Sequence, residues 1–207
     1  LHVPSLKIIE KKIVGLTNEL KQCGSALTAL PVIKKMNKFM DEISSDMTII
    51  SVRYQIDTTN KRYADAQNKL DEISPVISAY LNNWNKVLVK HKARKELEKT
   101  LGKYYFKMIE TALKVFDDKI VPELIEQNRL TSEYSRILAS AQIEFDGKVL
   151  NLPQMGKYTQ HVDRDIRKAA SIAVDKWMGE NEKAIGDIYD KLVKLRHQMA
   201  IKLGYKN

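Results

Sequence analysis

Histidines, a single cysteine and several close pairs of carboxylates are the residues of this chain whose chemistry could go beyond packing. His2, His91, His161 and His197 stand apart. None has another His or a Cys three or four positions away, the spacing that sets two zinc ligands on one helix face. His161 lies two residues before Asp163 and can join a capping arrangement, while His197 falls on the polar side of a terminal helix. The pairs Asp71-Glu72, Asp117-Asp118, Asp163 with Asp165 and Glu180 with Glu182 sit one or two positions apart. Helical neighbours at that spacing diverge, so these read as solvated charges and caps rather than as acid–base pairs. HExxH, CxxC, GxGxxG, Walker and GxSxG patterns are all missing from the sequence. No catalytic residue and no metal ligand is therefore assigned, and the substrate-binding residues stay unknown. Cys23, in KQCGS at an expected helix end, reads as a packing or exposed bystander rather than a nucleophile.

The densest charge is the basic run Lys86–Lys103, with seven Lys/Arg against two Glu, centred on Lys90-His91-Lys92-Ala93-Arg94-Lys95. Such a run can hold phosphate, an acidic partner or a peptide carboxylate. Its expected role is a solvated link between helices. With one His only, it offers no metal pair.

Helical periodicity organises everything around these residues. Leu6, Ile9, Ile13, Leu16 and Leu20 predict a helix over 4–22, ended by Gly24 and Ser25. Pro31 opens a second helix with Ile33, Met36, Met40, Ile43, Met47, Ile50 and Tyr54 at alternating three and four spacing, an a/d seam. A break at 57–60 precedes the stripe Tyr63, Ala66, Leu70, Ile73, Ile77, Leu81, Trp84, Leu88, which Pro75 is expected to kink or restart. Further helices are expected over 105–120, from Pro122 across PELIEQNRL, and over 132–141 with Thr131, Ser132 and Glu133 as capping chemistry. Asp146-Gly147 between short apolar runs then predicts a two-stranded ribbon, 142–146 with 148–152. A ribbon of that size is marginal by itself and must lie on helices or on something outside this chain. A short helix over 154–160, an Asp163-capped helix over 164–178, a joint at Glu180-Asn181 and a final helix ending near Gly204 complete the chain. The fold class is all-α, of long antiparallel helices, with one small β-hairpin near 142–152.

Composition agrees. In 207 residues, 43% are hydrophobic and only 8 are Gly and 5 Pro, the profile of a helical protein with a sizeable core. The net charge of +9 comes mostly from Lys interspersed with Glu, the pattern of a solvated surface rather than a nucleic-acid face. One cysteine excludes an internal disulfide and fits a reducing compartment. No 18-residue apolar run and no signal-peptide pattern is seen, so neither membrane nor nucleic acid is an expected partner and a cytoplasmic location is expected.

Three stretches carry a resemblance: LTSEYSRILASAQIEFDGKVLNLPQM (Leu130–Met155), DRDIRKAA (Asp163–Ala170) and ENEKAIGDIYDKLVKLRHQMAIKLGYKN (Glu180–Asn207). As one continuous pattern they resemble the N-terminal region of oligoendopeptidase F, a branch of the thimet-oligopeptidase family of zinc metallopeptidases. SVRYQIDTTN (Ser51–Asn60) and the helix before Leu130 resemble it more loosely. The resemblance implies a helical enzyme whose N-terminal part walls a deep channel that admits short peptides. It also implies zinc held far downstream by HExxH and a later Glu, outside this chain. On that basis the chain divides into a helical scaffold, 1–125, and a helix-hairpin-helix region, 126–207, leading into a catalytic domain beyond LGYKN. The chain alone is then expected to be an inactive, zinc-free fragment, its partners that catalytic domain and short peptides. The alternative is a stand-alone helical module that binds acidic partners or nucleic acid through 86–103. A third reading is oligomerisation through the seam Ile33–Tyr54.

Overall fold

The computed structural model describes residues 2–206. Among them eight α-helices carry the chain: α1 (Leu6–Gln22), α2 (Ala26–Ile56), α3 (Lys61–Val89), α4 (Arg94–Leu101), α5 (Lys103–Lys114), α6 (Val121–Ala139), α7 (Leu152–Thr159) and α8 (Arg164–Lys202). A 3-10 turn at Asp118–Ile120 precedes α6, and β1 (Ile143–Phe145) pairs with β2 (Lys148–Leu150). The mainly helical class with one hairpin is as the sequence led us to expect.

The main core lies where α1, α2 and α3 pack together and α4 and α5 close its end. Ile9, Ile13, Leu20, Ile33, Met36, Leu88, Leu97 and Phe106 are buried in it. The stripes read from sequence are the faces that turn inward, since residues three and four apart share a helix face. The α2 seam is consumed within the chain. Ile33, Met36, Ile43, Ile50 and Tyr54 are buried, and Met40 and Met47 pack half-buried on the same core. That seam is therefore not free to receive a second copy. A second cluster joins Ala141 and Ile143 to Met155, Ala170 and Trp177, which seats the hairpin and α7 on α8.

Several boundaries differ from expectation, each for an identifiable reason. Helix α2 starts five residues before Pro31, because Ser25 and Thr28 form a reciprocal capping box at its N-terminus. Pro75 does not restart the helix: α3 runs on from Lys61 to Val89. The Asp71 carbonyl, which loses its helical donor at Pro75, accepts instead from Asn128 Nδ2 at 3.2 Å. Helix α6 is one helix rather than two. Thr131 does not cap; its hydroxyl donates to the Gln127 carbonyl one turn back. Helix α8 passes through the expected joint at Glu180-Asn181, where Asn181 Nδ2 donates to the Trp177 carbonyl at 2.9 Å. It ends as expected at Gly204, whose φ of 89° permits the two closing bonds, Tyr205 N–H to Ala200 and Gly204 N–H to Ile201.

The hairpin is a two-residue connection with positive φ at Asp146 (52°) and Gly147 (68°), the geometry that Asp-Gly favours. Register pairs Ile143 with Leu150 and Phe145 with Lys148.

Candidate functional site

The basic run is a solvated link only in part, since His91 and Arg94 turn inward. Its first residues finish α3, a turn at 90–93 follows, and the rest forms α4 and the start of α5. Arg94 is withdrawn from any ligand. It pairs with Glu98 at 2.7 Å and Glu110 at 2.9 Å, donates to the Val89 carbonyl, and lies 4.3 Å above the Phe106 ring. His91 is buried, its Nδ1 accepting the Ala93 N–H at 3.2 Å. Lys86, Lys90 and Lys92 remain exposed. They meet Lys21, from the end of α1, around a cavity of about 410 Å³ that Cys23 and His91 also line. Cys23 is buried, with Sγ 3.3 Å from the Glu19 and Thr28 carbonyls.

The remaining histidines are dispersed. His161 Nδ1 accepts the Asp163 N–H at 3.1 Å, and Asp163 in turn caps α8 through the N–H groups of Asp165 and Ile166. His197 is exposed on α8 and His2 is exposed near the N-terminus. Asp117 caps the 3-10 turn, and Glu180 and Glu182 are exposed. Among the described residues no three His, Cys, Asp or Glu side chains converge where a metal could bind.

Asp71 is the exception among the carboxylates, and reading it as a solvated charge was wrong. It is 8% exposed, facing α6 from α3. Ser132 Oγ donates to it at 2.6 Å and Gln67 Nε2 at 2.8 Å. Around it, Asn128 Nδ2 reaches Ser74 Oγ, and Tyr54 Oη, from α2, donates to the Ser132 carbonyl at 3.1 Å. Burial pushes the Asp71 carboxyl above the ordinary aspartate range, against the pull of the Ser132 and Gln67 hydrogen bonds; Glu72 adds like-charge repulsion. Burial likewise raises the Tyr54 hydroxyl. A sequence signal was present: Asp71 stands four residues before Pro75, so its carbonyl is the one that the proline leaves unpaired.

Helix α8 buries one narrow face, through Ala170, Trp177, Ile188 and Met199. Beside it runs a second apolar strip that nothing among the described residues covers. Tyr189 is 67% exposed, with Met178 and Val193 also exposed along the same face. Met178, Ile185 and Tyr189 line a shallow, almost wholly apolar groove. None of the described helices is long and apolar enough to cross a membrane.

Comparison with known proteins extends this. The family model described as the Peptidase M3 N-terminal domain matches residues 1–116. That lies in the part whose resemblance looked looser in sequence. No curated protein sequence matches significantly. Solved structures match throughout. A putative oligoendopeptidase F from Bacillus anthracis str. Ames is 32% identical with a TM-score of 0.95, over 100% of this chain and 38% of its own. PZ peptidase A with an inhibitor gives the same identity and TM-score over 37% of its chain. The chain thus spans little more than a third of the length of these relatives. With its eight described helices following theirs from end to end, the chain belongs to the peptidase M3 family, to whose N-terminal domain it corresponds.

Proposed function

We propose that this chain is the N-terminal channel wall of a zinc metalloendopeptidase of the oligoendopeptidase F type, acting in the cytoplasm on internal bonds of short peptides. The observation that carries the reading is the 0.95 TM-score at 32% identity over the whole chain against structures in which it fills only 38% of the length. We divide it, as the sequence suggested, into a scaffold over 1–125 and a helix-hairpin-helix region over 126–207. The separate apolar clusters of the α1–α5 body and of the hairpin, α7 and α8 support that division.

Zinc does not fit the residues present. His91 and His161 each spend Nδ1 on a backbone N–H, and among the described residues no set of three His, Cys, Asp or Glu side chains forms around either. No chemical step is therefore assigned to these residues. Their part is positional: long helices with fixed caps supply a rigid wall, and the uncovered strip of α8 supports docking of the downstream catalytic body. An apolar strip of this kind gains about 25 cal/mol for each Å² removed from water.

The test uses the reading frame continued beyond Asn207. The longer product is expected to carry zinc, to cleave an internally quenched short peptide, and to lose that activity on chelation. Residues 1–207 alone are expected to do neither. Met178→Asp with Tyr189→Asp should lower cleavage by the longer product by roughly tenfold or more, as loss of an interface anchor does, while leaving helical circular dichroism of residues 1–207 unchanged. Stoichiometric zinc in residues 1–207, or a longer product without zinc-dependent cleavage, overturns the reading.

A further inference from the structure

The cavity where α1 ends and α3 turns into α4 concentrates positive charge that nothing among the described residues neutralises. Lys21, Lys86, Lys90 and Lys92 line it, all four are exposed, and among the described residues none is ion-paired. No carboxylate lines it. The C-terminal ends of α1 and α3 lie close by and carry partial negative charge, about half an elementary charge each. Together they offset about one of the four ammonium groups. A surplus of roughly three positive charges remains, more than helix capping requires.

His91 provides the second, independent observation. It is 8% exposed, and its Nδ1 accepts the Ala93 N–H. In a neutral imidazole the proton must then sit on Nε2, which makes that atom a donor. Nε2 is buried and has no hydrogen-bond partner. A buried donor left unpaired has lost its hydration without compensation, so it favours any acceptor that reaches it. Nε2 is shielded from solvent, and the cavity side chains that yield most easily are the long, unpaired lysines. Lys92 already reaches across to the α1–α2 turn, its Nζ near Gly24.

We propose that this cavity binds a small phosphate-type oxyanion, with Lys21, Lys86, Lys90 and Lys92 neutralising its charge and His91 Nε2–H donating to one oxygen. The cavity, about 410 Å³, has room for an oxyanion larger than a single phosphate. A polymer fits less well: Arg94 is withdrawn into its carboxylate pairs, and no Phe, Tyr or Trp lines the cavity to stack a base. The inference does not depend on the peptidase reading, since it rests only on α1, α3 and the turn after it.

The test is calorimetric titration of the purified chain with sodium pyrophosphate, with orthophosphate and a single-stranded oligonucleotide as further arms. One-to-one, salt-sensitive pyrophosphate binding is expected, with orthophosphate competing weakly. Lys86→Ala with Lys90→Ala and Lys92→Ala should weaken it by at least about tenfold, the scale of lost charge-assisted hydrogen bonds. Lys7→Ala with Lys11→Ala and Lys12→Ala removes the same charge from the outer face of α1 and should change it by less than about twofold. In nitrogen-15 NMR, the His91 Nε2–H signal should move on titration. Equal weakening by the two triple variants, or a His91 signal that stays put, overturns the assignment. So does an oligonucleotide that binds more tightly and is not displaced by pyrophosphate, which would make the surface a nucleic-acid face.

Discussion

Phe106→Ala is expected to destabilise the chain by about 3–5 kcal/mol, the range for deleting a fully buried aromatic ring. Phe106 is 0% exposed and belongs to the α1–α5 core. Its ring meets Tyr105 edge-on at 5.5 Å and carries Arg94 at 4.3 Å. Truncation therefore opens a cavity and also removes the platform that holds Arg94 between Glu98 and Glu110, worth a further ~0.5–1 kcal/mol. Phe106→Leu retains most of the volume and should lose less than about 2 kcal/mol. Urea unfolding of the two variants checks this: both midpoints should fall, with the slope unchanged. A loss below about 1 kcal/mol for Phe106→Ala would mean that α4 and α5 are not part of the cooperative unit.

The second large effect belongs to Asp71. Asp71→Ala strands Ser132 and Gln67, both partners of the buried carboxylate, and should cost about 2–3 kcal/mol near neutral pH. Asp71→Asn should stay within about 1 kcal/mol of the parent. The amide oxygen introduced by that change can still take the Ser132 hydroxyl. Gln67 can rotate so that its Oε1, which has no partner in the parent, accepts from the new amide N–H.

The pH dependence separates charge from shape. The folded-state pKa of Asp71 lies above its unfolded value, so the native state holds this proton more tightly. Its contribution to stability is then fullest below the unfolded value and declines as pH rises through the folded one. The Asp71→Asn variant cannot titrate at this position. As pH falls from neutrality towards about 4, the parent should therefore gain stability relative to this variant. Paired denaturation series across that range measure it. A difference that moves the other way would mean that the hydrogen bonds outweigh the burial.

The sequence by itself determined what short-range geometry decides. The stripes from Leu6 to Leu20 and from Ile33 to Tyr54 became buried helix faces because residues three and four apart share a face whatever the partner. Asp146-Gly147 made the hairpin because the turn needs positive φ at both positions. Asp163 capped α8 because its carboxylate meets N–H groups only two and three residues on.

Tertiary structure decided what depends on a distant partner. Asp71 looked solvated until Ser132 and Asn128, from α6, satisfied its carboxylate and its carbonyl. That second bond also explains why Pro75 leaves α3 whole. Arg94 looked like part of a solvated basic link until Glu110 and Phe106, on α5, occupied its guanidinium. Lys21 joins Lys86, Lys90 and Lys92 only because α1 packs along α3 with their ends together. A side chain's burial and charge partners are set by which helices meet, and that follows from packing the whole core rather than from any local pattern.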